Sequence, residues 1–296
     1  MLSGKTQQSC RMIRHYTRKF NNIFVLFSGG KDSLVVLDLV ARSIPKDKFV
    51  VLYTPIKGNT APECTEYVKD ICEQYDLNLL IAWLDKNLFV NFRQKGFPYI
   101  TGMRWCAQRH KYDVWRQVAR EYPKSLMITG VKRSDRQKRY ELIKEYQYVD
   151  LWRSWAIAPI AEWSKKEICT YIEKRRLPQN PLYSKIKHSG NCLFCPFLNK
   201  EAFFRTMYNY WEISTQLFEL LYEPPMSEKV EGKIKGCIVV YEKLLRWMSE
   251  LDSQAQIEPL IPFSDDKCFE PRAFLLYDEI DSNKIILESF STLFLG

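Results

Sequence analysis

Residues 24–37 read FVLFSGGKDSLVVL, and Ser28-Gly29-Gly30-Lys31-Asp32-Ser33 stands between two apolar runs. The run before it, Ile23–Phe27, is short and continuous, the pattern of a strand covered on both faces. The run after it places Leu34, Leu37, Leu39 and Val40 at helical spacing. The two glycines reach backbone angles closed to other residues. They turn successive N–H groups inward, and such a concavity binds anions. The next helix offers its positive N-terminus to the same point. Lys31 adds a full charge, and Ser28 and Ser33 add hydroxyl donors. Asp32 is expected to cap the helix or to reach a magnesium ion that bridges phosphates. A Walker loop is excluded, because Val25 and Asp32 occupy the positions of its first Gly and its Ser/Thr. No G-x-G-x-x-G is present either.

Outward from this loop, apolar strand candidates recur at Phe49–Tyr53, Leu79–Trp83 and Leu126–Thr129. Helical patterns alternate with them. One covers residues 10–20, with Met12, Ile13, Tyr16 and Phe20 on one face. Others cover Pro62–Tyr75, with Pro at the first position, and the basic stretch Arg104–Tyr122. The alternation predicts an α/β fold, a doubly wound, mostly parallel sheet. Ligands in such sheets bind beyond the carboxyl ends of the strands. The loops at Ser28, Thr54 and Gly130 should therefore face one crevice. Further on, Ser164 and Glu167 form a capping-box pattern for a helix that stops before Pro178. A loop with two cysteines follows, then helical stretches Glu201–Tyr222 and Val239–Leu251, and a low-periodicity tail, 252–296. The expected division is a nucleotide-binding α/β domain, 1–199, which includes the C-x-x-C loop, and a mainly helical C-terminal appendage with its tail, 200–296.

Of 296 residues, 46% are hydrophobic and 27% charged, which suits a soluble chain with a real core. The apolar runs are too short to span a bilayer, and the first twenty residues hold no signal-like apolar stretch. The expected location is cytoplasmic, with no membrane partner. The net charge of +9 fits an anionic partner: nucleotide, RNA or DNA. Nine cysteines in a cytosolic chain point to metal or redox chemistry rather than a disulfide scaffold.

The loop Ser28–Ser33 resembles the pyrophosphate-binding loop of the PP-loop ATP pyrophosphatases, whose fold is adenine nucleotide alpha hydrolase-like. More narrowly, the chain is similar to the phosphoadenosine phosphosulfate reductase-like branch. NTAPECTEYV (59–68) resembles its T-G-x-x-x-P-E-T segment, with Cys64 where Thr is usual. RWCAQRHK (104–111) resembles W-C-x-x-x-x-K. TGVKRSDRQKR (129–139) resembles G-x-R-x-x-E-S-x-x-R, with Lys132 and Asp135 departing from it. APIAEWSKKEICTYI (158–172) and NPLYSKIKHSGNCLFCPF (180–197) resemble P-I-x-x-W-x-x-x-x-I and N-P-L-Y…G-C-x-x-C-P. The resemblance covers roughly residues 15–200. It implies ATP with magnesium, phosphates on the loop, and attack of a substrate oxygen on the α-phosphorus. An adenylate and pyrophosphate would result. Some members bind a sulfonucleotide instead. The implied nucleotide ligands are Ser28, Gly29, Gly30, Lys31, Asp32, Ser33, Thr54, Gly130, Arg133 and Arg139, with Lys31, Asp32 and Ser33 nearest the chemistry.

Cys192 and Cys195, two apart and followed by Pro196, suit zinc or an iron–sulfur cluster. The resemblance implies that Cys106 joins them. A fourth ligand could be Cys268, Cys237 or His188, with Cys268 preferred, or one iron could stay open to sulfide. A [4Fe-4S] cluster is placed ahead of zinc; a redox thiol pair and a structural pair stay open. Cys10, Cys64, Cys72 and Cys169 read as packed thiols. KRSDRQKR (132–139) carries five basic residues in eight positions and reads as a phosphate-binding loop or a solvated one. His15 and His110 read as surface residues.

Three functions follow. The first is an AMP-forming sulfurtransferase acting on nucleic acid, by tRNA thiolation or DNA phosphorothioation, fed by a sulfur-donor protein. The second is a sulfonucleotide reductase. In the family that chemistry uses a mobile C-terminal Cys, and here no Cys follows Cys268. The third is a non-catalytic nucleotide-binding subunit. Assembly as a homodimer stays open.

Overall fold

The strand that precedes the glycine pair, β1 (Asn22–Leu26), lies at the centre of a seven-stranded sheet. The computed structural model describes residues 2–98, 104–133, 144–222, 235–255 and 283–290. In chain order, α1 (Leu2–Thr17) precedes β1. Then come α2 (Lys31–Ala41), β2 (Val50–Tyr53), α3 (Pro62–Gln74), β3 (Leu79–Leu84) and α4 (Leu88–Lys95). Next are α5 (Trp105–Ala107), a π-helical turn (Gln108–Tyr112) and α6 (Asp113–Glu121), consecutive along the chain. They are followed by β4 (Ser125–Ile128), β5 (Tyr146–Val149), β6 (Ser154–Ile157), α7 (Lys165–Arg175) and α8 (Leu182–Lys185). The last elements are α9 (Lys200–Asn209), α10 (Trp211–Tyr222), α11 (Lys235–Ala255) and β7 (Ile285–Phe290).

The sheet order is β5-β6-β4-β1-β2-β3-β7. The five inner strands are parallel, with Phe24 opposite Val50 and Val25 opposite Ile128. Antiparallel strands close both edges: β5 against β6, and β7 against β3. Alternation along β1 serves two cores. Ile23, Val25 and Phe27 pack with α2 and α3, whereas Phe24 and Leu26 pack with Val114 and Val118 of α6. The fold is therefore α/β and doubly wound. Its switch point lies where β2 and β4 leave opposite sides of β1, which places a crevice at the glycine loop.

The expected capping box is present: Ser164 Oγ accepts from Glu167 N, and Glu167 Oε2 accepts from Ser164 N at 2.8 Å. Lys5 reaches the same carboxylate at 2.9 Å, and Ser9 Oγ donates to Pro159 O, so α1 is anchored to the segment that leads into α7. Phe203 and Met207 of α9, Ile213 and Leu217 of α10, and Tyr210 between them join the core that holds α2 and α3. Strand β7 comes from the tail that reads as aperiodic, and Leu79–Leu84 pairs with it along its whole length. Among the described residues, no helix is long and apolar enough to cross a membrane.

Candidate nucleotide and cysteine site

Between β1 and α2 the chain turns at Gly29, whose φ is +71°. A Cβ there would stand 3.0 Å from Cys64 Sγ and 3.3 Å from Asn180 Nδ2, so strain and crowding both require glycine. Gly30 is the N-cap of α2, in extended conformation and without a side-chain cap. Ser33 Oγ donates to Gly30 O at 2.9 Å, accepts from Ser28 N, and lies 3.3 Å from Ser28 Oγ. Lys31 N donates to Tyr183 Oη at 3.2 Å, and the Lys31 ammonium sits 4.5 Å above that ring. Asn180, 3% exposed, fastens the loop from behind. Its amide donates to Gly29 O at 3.2 Å and Ser189 O at 2.9 Å, and its oxygen accepts from Leu182 N.

The capping role expected of Asp32 belongs to Gly30 instead. The Asp32 carboxylate lies in the first turn and bonds the buried Lys132 ammonium at 2.5 Å. That pairing leaves the carboxylate part-exposed at the mouth of the loop. Gly130 packs directly on the start of α2. A Cβ there would stand 3.0 Å from Ser33 N and 3.1 Å from Asp32 C, both backbone atoms that cannot swing aside. Gly130→Ala should therefore displace the loop and cost about 1–3 kcal/mol in a urea melt. A variant that melts like the parent protein would show that the contact relaxes freely.

A cavity of about 640 Å³ opens in front of the loop. Ser28, Gly30, Lys31, Asp32, Ser33, Thr54 and Gly130 line it, so the three expected strand-end loops do converge. Gly29 stands behind this lining. Thr54 Oγ1 accepts from Trp115 Nε1 at 3.0 Å. One wall is aromatic: Trp115 and Trp152 pack edge to face at 4.9 Å, and Tyr112 touches both. Lys31, Arg104, Lys111 and Lys144 also line the space, against the single carboxylate Asp32 among the described lining residues. That balance favours an anion. Arg133 lies apart from the lining, its guanidinium on Glu162. Arg139, with Arg136 and Lys138, lies outside the described residues.

Cys106, Cys192 and Cys195 also line this cavity. Cys192 Sγ accepts from Asn59 Nδ2 at 3.1 Å. The Cys192 thiol is pushed up by its bond to Cys195 and by burial, and Cys195 is held low by that same bond. Cys106 is raised to about 11, by burial first and by Cys195 second. The Lys111 ammonium favours the thiolate at all three. The lining thus holds three thiols near cations, and thiols are the donor type that a thiolate-bound metal or cluster takes. Among the described residues, no group of three or more His, Cys, Asp or Glu is already drawn together as a metal cage. His188 does not serve as the fourth ligand in this arrangement. Its Nδ1 accepts from Gly190 N and its Nε2 donates to Thr206 Oγ1 at 2.8 Å. Cys268 and the Cys237 side chain lie outside the described residues.

Cys64 and Cys72 are buried thiols, as expected, raised by burial to about 11 and about 12. His110 is not a surface residue. It is 1% exposed, and its Nε2 accepts from Asn91 Nδ2 at 2.8 Å. The residues overlooked by the sequence reading are Asn180, Tyr183, Lys111, Trp115 and Trp152, and Lys132, read as a phosphate contact, instead pairs with Asp32. The first three lie inside the quoted family segments, so position could have flagged them. The two tryptophans carry no signal in a single sequence.

Comparison with known proteins shows the family. Residues 22–207 match the phosphoadenosine phosphosulfate reductase domain, and the chain belongs to that family. An uncharacterized protein of Methanocaldococcus jannaschii is 26% identical over 215 residues, 69% of this chain and 51% of that one. The phosphoadenosine 5'-phosphosulfate reductase of Xylella fastidiosa is 25% identical over 165 residues, 53% of this chain and 65% of that one. The chain thus spans about half the length of the archaeal relative and just under two thirds of the bacterial one. A crystal structure of the phosphoadenylyl-sulfate reductase of Candida auris, a phosphate complex, aligns with a TM-score of 0.45 at 14% identity, covering 62% of this chain and 89% of that one.

Proposed function

We propose that the chain is an ATP-using, AMP-forming enzyme that adenylates nucleic acid, tRNA or DNA, and then exchanges the activated oxygen for sulfur. One observation carries this reading: the Ser28–Ser33 loop and the three thiols line the same cavity. Phosphates would sit against the loop at Gly30 and the first turn of α2, with the Lys31 ammonium beside them and the adenine toward Trp115 and Trp152. Asp32 would hold magnesium, its charge already balanced by Lys132. A substrate oxygen attacks the α-phosphorus, the bond to the bridging oxygen breaks, and pyrophosphate leaves with that electron pair. The loop N–H groups and Lys31 stabilise the charge that develops there. A sulfur nucleophile then forms its bond to the carbon or phosphorus that bears the adenylated oxygen, and AMP departs.

Cys106, Cys192 and Cys195, with Cys268 as the fourth ligand, would hold a [4Fe-4S] cluster, and zinc is the alternative. A bound cluster would supply a place to carry sulfide from a sulfur-donor protein. Lys111 and Arg104 would offset part of the burial that raises Cys106, favour the thiolate at Cys195, and attract the anionic substrate.

The second reading is a sulfonucleotide reductase, favoured by the family itself and by the Xylella relative. There a cysteine thiolate attacks the sulfonucleotide sulfur, the S–O bond breaks, and the nucleotide leaves. A second thiol then releases sulfite. The two are separated by assaying AMP and pyrophosphate from ATP with bulk tRNA or DNA, and sulfite from sulfonucleotides with dithiothreitol. The expected result is polymer-stimulated AMP formation, lowered on the order of 100-fold by Lys31→Ala. Sulfite release without AMP formation would install the second reading. Neither product would leave a nucleotide-binding subunit.

A further inference from the structure

The outer face of the β5–β6 edge carries an aromatic stack that the cavity does not use. Tyr16 of α1 stacks on Tyr146 with centroids 4.2 Å apart and planes 17° apart. Tyr146 stacks in turn on Trp155, at 4.6 Å and 8°. Tyr148 meets Trp155 edge-on at 5.6 Å. The outer members are open to solvent, Tyr148 at 47% and Trp155 at 36%. Lys19 leans over the inner end, 5.3 Å from the Tyr16 ring and 6.0 Å from the Tyr146 ring. Exposed aromatics on a sheet edge invite aggregation, so a surface of this kind calls for an occupant.

Charge narrows the choice. Residues 1–20 contain no Asp or Glu; Arg11, Arg14, Arg18 and Lys19 make the C-terminal half of α1 and its exit basic, and Lys19 is the one that leans over the stack. Along β5 and the turn after it, Lys144 and Arg153 are offset by Glu145 and Asp150, so the positive excess comes from the helix. Flat π-faces next to cations, with few carboxylates, suit a ligand that alternates aromatic planes with negative charges. Unpaired nucleotides have that chemistry: each base offers a face for stacking and each linkage a phosphate. A duplex keeps its base faces hidden within its own stack. Strand β5 also joins this surface to the cavity. Tyr146 and Tyr148 belong to the stack, while Gln147, Val149 and the preceding Lys144 line the cavity. Helix α1 precedes the matched family segment, which starts at residue 22, so the cationic half of this surface lies outside that segment.

We propose that Tyr148 and Trp155, at the open end of this stack, bind the bases of a single-stranded nucleic acid and guide it along β5 to the cavity mouth. The inference rests on the nucleic-acid reading for its biological meaning, but its test does not need that activity. Fluorescence anisotropy with short labelled oligo(U), oligo(dT) and a matched duplex provides the measurement. The protein should bind both single strands more tightly than the duplex, with affinity falling as salt rises. The double variant Tyr148→Ala/Trp155→Ala should weaken single-strand binding by about 10- to 100-fold, as loss of one stacked base implies. Trp155→Phe should keep most of the affinity, and Arg18→Glu/Lys19→Glu should lower it while flattening the salt dependence. ATP binding by calorimetry should stay unchanged in all of these variants, which also reports that the fold is intact. Unchanged single-strand affinity in the double variant, equal binding of duplex, or no binding of any strand would overturn the inference. Stack-dependent strand binding without AMP formation would instead uphold it and remove the proposed activity.

Discussion

Asn180→Ala should loosen the protein and its nucleotide loop together. The side chain satisfies three main-chain groups, Gly29 O, Ser189 O and Leu182 N, in a place almost closed to water. Alanine leaves all three without that partner, and each buried polar group stranded in this way costs about 1–3 kcal/mol. Some rearrangement is expected, so the total should come to about 2–5 kcal/mol in urea denaturation. Because the same amide ties the glycine loop to the segment that leads into the cysteines, ATP affinity should fall at least tenfold, a shift of about 1.4 kcal/mol. Asn180→Asp keeps the acceptor for Leu182 but sets a carboxylate against two carbonyl oxygens, so it should rescue little. Parent-like stability and ATP binding in the alanine variant would mean that the loop holds its shape without this clamp.

A second large effect should come from acid. Burial, with Arg109, Lys86, Lys95 and Lys111 nearby, lowers His110 to about 4, and burial alone lowers His188 to about 4. Unfolded histidine titrates near 6.5, so the unfolded chain binds these protons first. Stability is therefore full above about pH 6.5, falls as the pH drops toward about 4, and levels off below. A shift of this size corresponds to about 3 kcal/mol for the fully buried His110. The half-buried His188 keeps some hydration and adds less, so the pair should account for about 3–5 kcal/mol. Urea melts at neutral and acid pH measure the loss directly. His110→Gln with His188→Gln should flatten that stretch of the profile, and a profile of unchanged steepness would assign the acid sensitivity to other groups.

The centre of the fold was legible because its strands are buried on both faces and so read as unbroken apolar runs. The edges were not. Strand β5 is YQYV, half exposed, and its alternation serves an aromatic stack on one side and the cavity on the other. Strand β7 sits in a stretch with little pattern, and what makes it a strand is its partner β3. In the site, the glycines and the C-x-x-C pair announced themselves by residue type. Lys132 read as a departure from a family arginine and as one of five basic residues in a phosphate-binding or solvated loop. Its role needs Asp32, a hundred residues earlier, and the pair forms only when the loop after β4 packs on the first turn of α2. His110 sits in a basic run and reads as exposed. The π-helical turn between Gln108 and Tyr112 breaks the 3.6-residue phase there, and the ring is buried against Asn91.

The antiparallel pairing of β3 with β7 also bears on how the chain emerges from the ribosome. The segment LLIAWL is made about 200 residues before the strand that covers it. At ~5–20 residues per second, that delay is about 10–40 s. Throughout it, the nascent chain presents an apolar, untwinned edge with free amides and carbonyls to any neighbour on the same polysome. Holdase chaperones should therefore engage this protein from the emergence of β3 and release it only once β7 has paired with that strand.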